Sequence, residues 1–214
     1  SCIGYCAGEG LAEHTFKVFM SDKFGSSNFL NHSTICLQTA VAGYATTIGG
    51  YGQADLENAK YVIMAGSNRA EAILTPDTMD LFKHTRGRGV KLVVVDPRFT
   101  NTAVHADDYV AIRPGTDLAF VLAMCYVLIK EGLYDKDFVS NETEGFEQFL
   151  AVIDQYTPEW AEPITDIPAQ TITRLAREIA SYKPKCFVDP GWKAAFGANY
   201  KNSTETTRAI AYMN

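Results

Sequence analysis

The sequence predicts an α/β fold, in which a doubly wound and mostly parallel sheet carries helices on both faces. Apolar runs at 61–65 and 91–95 are typical of strands, and the helical pattern between them makes this segment a βαβ unit. A further strand and helix follow at 109–112 and 118–130. The alternation continues without an internal repeat or a linker, and strands joined by helical crossovers run parallel.

The first element that the pattern predicts is an amphipathic helix over 11–24. One side of this helix carries an apolar stripe, which we expect to pack into the core: Phe16, Phe19, Met20 and Phe24. A polar loop at 28–36 and a Gly-rich stretch at 43–52 lie between this helix and the βαβ unit.

The boundaries of the βαβ unit follow from the residues that end its helix and form its second strand. Its helix, predicted over 71–85, ends at Arg86-Gly87-Arg88-Gly89, where Gly allows a left-handed cap and the basic residues suit the negative end of the helix dipole. After its first residue, the strand at 91–95 is entirely apolar. Such a run is typical of a strand that is buried on both faces of a parallel sheet.

The C-terminal third is mostly helical. A helix begins after Pro168, and its core-facing positions recur with helical spacing: Ile172, Leu175, Ala176 and Ile179. A short strand at 185–188 follows, and 203–214 has the pattern of an unfinished helix. Since residue 1 is not Met, we expect the chain to belong to a longer polypeptide.

The composition excludes several classes of protein. Of the 214 residues 47% are hydrophobic, which is typical of a globular domain and not of a disordered chain. The net charge of −6 does not provide the excess of Lys and Arg that nucleic acids and anionic membranes require. The longest apolar run, 118–129, is shorter than the roughly 18 residues of a membrane span. We therefore expect neither nucleic-acid binding nor direct membrane insertion.

The five cysteines cannot all pair with one another. Cys125 and Cys186 lie among apolar residues and are expected to be buried thiols. Cys2 and Cys6 lack the spacing of a zinc site, so we expect strand or loop positions for them. Cys36 differs, because it precedes a small-residue helix whose N-terminus would stabilise a thiolate.

His32 precedes Cys36 with three residues between them. This spacing alone is compatible with a pair of ligands and equally with no function. An imidazole can act as an acid or a base near neutral pH, so His32 is a candidate catalytic residue. The alternative is that His32 orders the Cys36 loop by hydrogen bonding.

Four polar or Gly-bearing turns follow the predicted strands at their carboxyl ends. They are Gly66-Ser67-Asn68, Asp96-Pro97-Arg98, Gly115-Thr116-Asp117 and Gly191-Trp192. Ligands of open parallel sheets bind at this edge, where Gly66 would let the backbone approach a phosphate and Asp96 would bind ribose hydroxyls. Each turn alone is compatible with an ordinary cap, but four at one edge predict a bound nucleotide.

The order of these motifs resembles the molybdopterin oxidoreductase (dimethyl sulfoxide reductase) family. The segments that carry the resemblance span nearly the whole chain: Asn28, Asn31-His32-Ser33 and Cys36; Asp55 and Asn58-Ala59; the turns at 66–68 and 94–98; 113–119; 131–134; and 156–160. A cysteine at position 36 resembles the branch that includes thiosulfate, polysulfide and arsenate reductases, formate dehydrogenases and periplasmic nitrate reductases. Leu37 favours a reductase of a sulfur or arsenic oxyanion, since formate-active relatives usually have His there.

The resemblance implies a catalytic subunit that holds molybdenum, or tungsten, with two molybdopterin guanine dinucleotides. It implies that Cys36 is the protein ligand to the metal, as suits a soft thiolate. The positions that it assigns to the cofactor are Gly66, Ser67 and Asn68 along the phosphates, Asp96 and Asp117 on guanosine, Pro97 and Gly115 in the same turns, Arg98 near the pyrophosphate, and Gly191 and Trp192 in the second half of the pocket. For Arg98, capping of the sheet edge is an equal alternative.

The resemblance also divides the chain. Residues 1–58 would belong to the metal-ligand-bearing α/β domain, 59–184 to the dinucleotide-binding domain, and 185–214 to a truncated return segment. The family's 4Fe–4S motif and β-rich domain are absent from these residues, so we expect the 4Fe–4S cluster elsewhere in the parent protein. Expected partners are a small-molecule substrate, an iron–sulfur electron-transfer subunit and a membrane anchor subunit, and the expected location is the periplasm.

Other functions stay open at this stage. A formate dehydrogenase or nitrate reductase of the same family would share these motifs. A non-catalytic electron-relay scaffold would have this fold, but such scaffolds usually lose the cysteine at 36 and the nucleotide turns, which are intact here. A nicotinamide-dependent dehydrogenase would need a Gly-rich fingerprint that the sequence lacks.

Overall fold

The computed structural model describes residues 4–6, 11–30, 37–50, 52, 55–71, 87–191 and 201–214. The strands are β1 (Gly4–Cys6), β2 (Asn28–Leu30), β3 (Tyr61–Ala65), β4 (Lys91–Val95), β5 (Asp108–Val110) and β6 (Cys186–Asp189). The helices are α1 (Leu11–Val18), α2 (Gln38–Ile48), α3 (Asp117–Lys130), α4 (Lys136–Glu142), α5 (Phe146–Ile153), α6 (Pro158–Thr165), α7 (Ala169–Ser181) and α8 (Ser203–Met213). A π-helical turn (Phe19–Lys23) continues α1, and a 3₁₀ turn (Ala103–His105) follows β4.

The main sheet has four parallel strands in the order β5-β4-β3-β6. Every residue of β3 is buried, because this central strand has a core cluster on each face of the sheet. β3 and β4 pair from Tyr61 opposite Lys91 to Ala65 opposite Val95, so they end at the same level. The predicted α/β fold with a parallel sheet is confirmed. β1 and β2 form a separate parallel pair.

The two faces of the main sheet pack differently. The face with Tyr61, Ile63 and Ala65 lies in the larger core, together with residues of α3, α6, α7 and α8. The opposite face, with Val62 and Met64, packs against shorter segments around Leu56, Ala59 and Ala103. The helix that the sequence predicts over 71–85 lies, apart from Glu71, outside the described residues.

α7 confirms the pattern predicted after Pro168. Pro168 is its N-cap residue, and the four core-facing positions are buried: Ile172, Leu175, Ala176 and Ile179. At its exposed side Glu178 accepts hydrogen bonds from Tyr61 Oη at 3.0 Å, Lys91 Nζ at 2.7 Å and Arg174 Nη1 at 3.0 Å. Burial alone would raise the pKa of Glu178, but these three donors outweigh burial and the pKa is lowered. The contacts tie α7 to the amino ends of β3 and β4.

The prediction that the aromatic stripe of α1 is core is wrong for the described structure. The exposed fractions are 42% for Phe16, 54% for Phe19 and 50% for Phe24. The regular helix ends at Val18, and the wider π turn rotates the following side chains away from a single face. None of the described elements covers this side, because the core helices pack on the main sheet.

Smaller differences have local causes. β5 ends at Val110 and not at Ile112, because its partner β4 ends at Val95, opposite Val110. The predicted polar loop over 28–36 begins with β2, which pairs with β1 through its backbone. Cys125 is buried as predicted, whereas Cys186 is only half-buried because β6 is an edge strand. None of the helices within the described residues has the length and apolar character to cross a bilayer.

α2 and α8 make a close contact at Gly43. A Cβ atom at this position would lie 2.5 Å from Thr207 Cβ, which is too short for any real contact. We expect G43A to lower the free energy of unfolding by about 1–3 kcal/mol, since the helices must separate. Urea titration measures this change. Gly50 is the control, because no atom lies within 4 Å of a Cβ built there, and equal stability of G43A and G50A would contradict the contact.

Candidate functional site

The predicted turns meet at the carboxyl edge of the main sheet. Gly66 follows β3, Asp96 follows β4, and β6 ends at Asp189, two residues before Gly191. Asp117 begins α3 after the connection from β5. The turns that follow β3, β4 and β6 lie at one edge as predicted, because these strands are parallel. Asp117 is close enough to this edge for the charge of Asp96 to affect its pKa, and Trp192 lies outside the described residues.

Two Asp-Pro turns flank the central strand. The Asp96 carboxylate accepts a hydrogen bond from the backbone N–H of Arg98 at 2.8 Å, and the Asp189 carboxylate accepts one from Gly191 at 2.9 Å. Both are Asx turns, in which the side chain replaces a backbone acceptor. The second oxygen of Asp189 accepts from Arg69 Nε at 2.6 Å. No donor among the described residues reaches the second oxygen of Asp96, so that atom is available to a ligand.

The turn that follows β3 presents backbone donors. Gly66 has a φ of +65° and donates its N–H to the Val95 carbonyl at 2.7 Å. The N–H groups of Ser67 and Asn68 meet no acceptor within the described part of the chain. Gly191 closes on this turn, since a Cβ on it would lie 2.9 Å from Ser67 Oγ. This arrangement has the adjacent N–H groups that bind phosphate in other proteins.

A polar network joins the turns after β3 and β4. Thr102 donates to Asn68 Oδ1 at 2.8 Å and accepts from the backbone N–H of Ala70 at 3.0 Å. Asn68 Nδ2 donates to Glu71, which also accepts from Asn101 Nδ2 at 2.5 Å. The network therefore fixes the turn after β3 from the side of the loop after β4.

Arg98 lies at the rim of this network. Its side chain is 72% exposed, and its guanidinium approaches Glu71 Oε2 at 3.4 Å, a long contact that contributes little in water. The side chain is therefore accessible to an anion, and no capping bond from it to the sheet edge occurs among the described residues.

Asp117 is the most strongly perturbed carboxyl group of the site. It is 4% exposed, and burial raises its pKa to about 6, opposed by the hydrogen bond from its own N–H and assisted by the negative charge of Asp96. Burial also raises the pKa of Asp96, and the N–H and charge of Arg98 oppose that rise. Two carboxyl groups that share an edge with few donors are suited to bind hydroxyl or amide N–H groups of a ligand.

Not every predicted site residue can be placed. The edge brings together the described members of the predicted set: Gly66, Ser67, Asn68, Asp96, Pro97, Arg98, Gly115, Asp117 and Gly191. His32, Cys36 and Trp192 lie outside the described residues. α2 begins at Gln38, shortly after Cys36. The described residues contain no group of three or more His, Cys, Asp or Glu side chains that could hold a metal ion.

Sequence reasoning missed four residues of the edge: Arg69, Glu71, Thr102 and Asp189. For Asp189 the sequence contains a signal, because Val-Asp-Pro occurs at both 95–97 and 188–190, at the end of a strand in each case. The roles of Arg69, Glu71 and Thr102 depend on contacts between segments that are about 30 to 120 residues apart. No local pattern reports such contacts.

A model of the molybdopterin oxidoreductase family matches residues 3–214. The chain belongs to this family. It is 39% identical, over 87% of its length, to the thiosulfate reductase molybdopterin-containing subunit PhsA of Salmonella typhimurium. It is 33% identical, over 79% of its length, to the arsenate respiratory reductase molybdopterin-containing subunit ArrA of Chrysiogenes arsenatis. The predicted family is confirmed.

A solved structure supports the fold assignment. The acetylene hydratase of Pelobacter acetylenicus superposes with a TM-score of 0.80 at 31% identity, over 93% of this chain and 26% of that one. The chain spans 24% of PhsA and 23% of ArrA, about a quarter of each relative. These two relatives are therefore much longer than the present chain.

Membership of the family implies a molybdenum–pterin cofactor, and the sheet edge fits such a group. The N–H groups of Ser67 and Asn68, which meet no acceptor within the described residues, suit a phosphate, and Gly191 packs against Ser67 so closely that a Cβ there would lie 2.9 Å from Ser67 Oγ. Asp96 and Asp117 offer carboxylate oxygens beside these donors. The donor set at this edge thus has both parts that a phosphorylated, hydroxyl-bearing ligand requires.

The Arg69–Asp189 pair connects the turn after β3 to the end of β6. Its side chains are 13% and 4% exposed, so R69M would leave a buried carboxylate unpaired. We expect R69M to lower the free energy of unfolding by about 3 kcal/mol. R113M is the control, because the Arg113–Asp166 pair is 50% and 60% exposed and contributes less than about 1 kcal/mol. If urea titrations showed that R69M and R113M lower the free energy of unfolding equally, burial of the Arg69–Asp189 pair would not determine its contribution.

Proposed function

We propose that this chain is part of the catalytic subunit of a molybdenum- or tungsten-dependent oxidoreductase and holds a pterin guanine dinucleotide at the carboxyl edge of its sheet. One observation carries the proposal: the N–H groups of Ser67 and Asn68 and the second carboxylate oxygen of Asp96 lie at the same edge, and none of them has a hydrogen-bond partner among the described residues. The family match supports the pterin part of the ligand. The guanine dinucleotide form follows from the resemblance of the turns.

Different residues of the described edge bind different parts of the dinucleotide. Backbone N–H groups of Ser67 and Asn68 bind phosphate oxygens, and the exposed guanidinium of Arg98 neutralises the pyrophosphate charge. Asp96 accepts from ribose hydroxyls through its second oxygen. Asp117, buried at the start of α3, accepts from the N–H groups of the guanine edge.

The remaining assignments concern the turns themselves. Pro97 and Gly115 shape the turns that carry Asp96 and Asp117. Gly191 and Trp192 line the second half of the pocket, where Gly191 already lies against Ser67. We keep residues 1–58, 59–184 and 185–214 as the proposed division into domains.

Cys36 is the proposed protein ligand to the metal, and His32 the proposed acid or base beside it. When bound, the metal supplies two-electron atom-transfer chemistry. A thiolate adds a soft donor to a sulfur-rich set, and Cys36 precedes α2, which begins at Gln38 and whose positive N-terminal end favours a thiolate.

For the substrate we propose a sulfur or arsenic oxyanion, which the enzyme reduces. Two similar proteins are named as thiosulfate and arsenate reductases, and Leu37 follows the cysteine. The alternative is another reaction of the family, because similar proteins also include a nitrate reductase and a formate dehydrogenase subunit. Substrate profiling of the purified full-length protein separates these reactions.

The proposed partners follow from the names of the relatives. PhsA and ArrA are called molybdopterin-containing subunits, which supports a complex with further subunits. We propose that the partners are an iron–sulfur electron-transfer subunit and a membrane anchor subunit. We further propose that the parent protein holds a 4Fe–4S cluster outside this chain and that the complex acts in the periplasm, in anaerobic respiration.

The proposal is tested on the full-length protein by its metal and guanine nucleotide content. We expect about one molybdenum or tungsten and two guanine nucleotides per protein, as two pterin dinucleotides require. C36A should remove turnover while most of the guanine nucleotide stays bound, because the turns at the sheet edge are unchanged. Protein without metal and guanine nucleotide, purified from cells that load a known relative, would falsify the enzyme proposal and favour a relay scaffold.

Asp117 gives the retention of guanine nucleotide a pH dependence. Its pKa of about 6 means that the carboxylate, which accepts from guanine, is lost as the pH falls through this range. Retention in the full-length protein should therefore decrease from pH 7 to pH 5. The cofactor-free protein should show the opposite trend, since its raised pKa makes the protonated fold more stable and this stability is lost as the pH rises through about 6.

The variant D117N distinguishes the titration of Asp117 from that of other ionisable groups. It should retain guanine nucleotide poorly at pH 7 and lose the part of both pH trends that is centred near pH 6, because an amide does not titrate. D154N is the control, since Asp154 is an exposed carboxylate paired with Lys130 on another surface. A retention profile of D117N that matches the wild type would remove Asp117 from the guanine site.

A further inference from the structure

Thr102 joins two segments that form the sheet edge. Its side chain is fully buried, although it lies in the loop between β4 and β5. The hydroxyl oxygen accepts from the Ala70 N–H at 3.0 Å, and the hydroxyl proton is donated to Asn68 Oδ1 at 2.8 Å. The hydroxyl group of Thr102 therefore acts both as donor and as acceptor toward the turn after β3.

Both polar atoms of the Asn68 side-chain amide form hydrogen bonds within the protein. Its oxygen accepts from Thr102, and its nitrogen donates to Glu71, whose other oxygen is held by Asn101. The backbone N–H of Asn68 has no acceptor within the described residues. It follows that Asn68 offers a ligand its backbone and not its amide group.

We propose that Thr102 is a positioning residue for the cofactor, because its hydroxyl holds the Asn68 side chain and the Ala70 N–H so that the N–H groups of Ser67 and Asn68 point toward the phosphate. The inference rests on the proposed function, since it assumes a phosphate-bearing ligand at this turn. Thr102 itself does not touch the ligand. It acts through the conformation of residues 66–70.

The chemistry of the hydroxyl makes the inference specific. A Val at this position has nearly the same shape but neither accepts nor donates, so Ala70 and Asn68 would both lose a partner. A Ser keeps both bonds and removes only a methyl group. The turn should therefore tolerate T102S and not T102V.

Thr100 provides a matched control on the same loop. It is also buried, and its hydroxyl accepts from the Ala103 N–H at 3.2 Å within the loop itself. None of its hydrogen bonds in the described structure reaches residues 66–70. T100V thus loses a buried hydroxyl without loss of contact to the phosphate turn.

The experiment compares wild type, T102V, T102S and T100V in the full-length, cofactor-loaded protein. The measurement is the guanine nucleotide that remains bound after timed incubation at raised temperature, with thermal unfolding of cofactor-free protein recorded in parallel. We expect T102V to release nucleotide about threefold to tenfold faster, as loss of hydrogen bonds of ordinary strength implies. T102S and T100V should release it at close to the wild-type rate, even where T100V is as destabilised as T102V.

The outcomes distinguish the inference from the function on which it rests. Wild-type protein without guanine nucleotide contradicts the proposed function. Loaded wild type with equal release from T102V and T100V overturns the role of Thr102, as does release from T102S that is as fast as from T102V.

A second variant keeps the inference testable if T102V does not fold. N68A removes the same hydrogen bond from its more exposed end and should also accelerate release. Unchanged release from N68A overturns the inference. Where T102V folds, the effect of the double variant should be smaller than the sum of the two single effects, because both changes break the bond between Thr102 and Asn68. Fully additive effects would overturn the inference.

Discussion

Parallel pairing of β3 with β4 and β6 is the constraint on which the rest of the structure depends. Because the three strands are in register and run in one direction, each delivers its following turn to the same edge. Residues more than 100 positions apart, such as Ser67 and Gly191, come into contact there. The apolar cores on the two faces of the sheet hold this register, since a slip by one residue would turn every side chain to the wrong face.

The polar groups of the edge are of two kinds: those that form hydrogen bonds within the described structure and those that have no partner there. Asp189 has both oxygens bonded, to Arg69 and to the Gly191 N–H, and so stabilises the frame. Asp96 forms the same kind of turn, but its second oxygen has no donor among the described residues. Asp117 is buried with a raised pKa and few donors. Among the described residues, the end of β6 is thus fully bonded to the turn after β3, and the groups without a partner are the second oxygen of Asp96 and the N–H groups of Ser67 and Asn68.

Much of the fold was predictable from local patterns. The apolar runs of β3 and β4 and the stripe of α7 have their predicted positions, because burial of these residues needs no information beyond their spacing. The stripe of α1 was misassigned, since periodicity shows that a face is apolar but not what covers it. The turns of the site were predictable from their position after strands. The network through Thr102 was not, because it depends on two loops that meet only in the folded chain.

By itself the sequence determined the class of fold, the family, the turns at the sheet edge and the cysteine on which the proposed chemistry depends. These are properties of local periodicity and of the order of short motifs along the chain. The tertiary structure alone decided which polar groups at the edge are used up by the protein and which remain open. That distinction arises from hydrogen bonds between distant segments, such as Arg69 to Asp189, and from the burial that raises the pKa of Asp117.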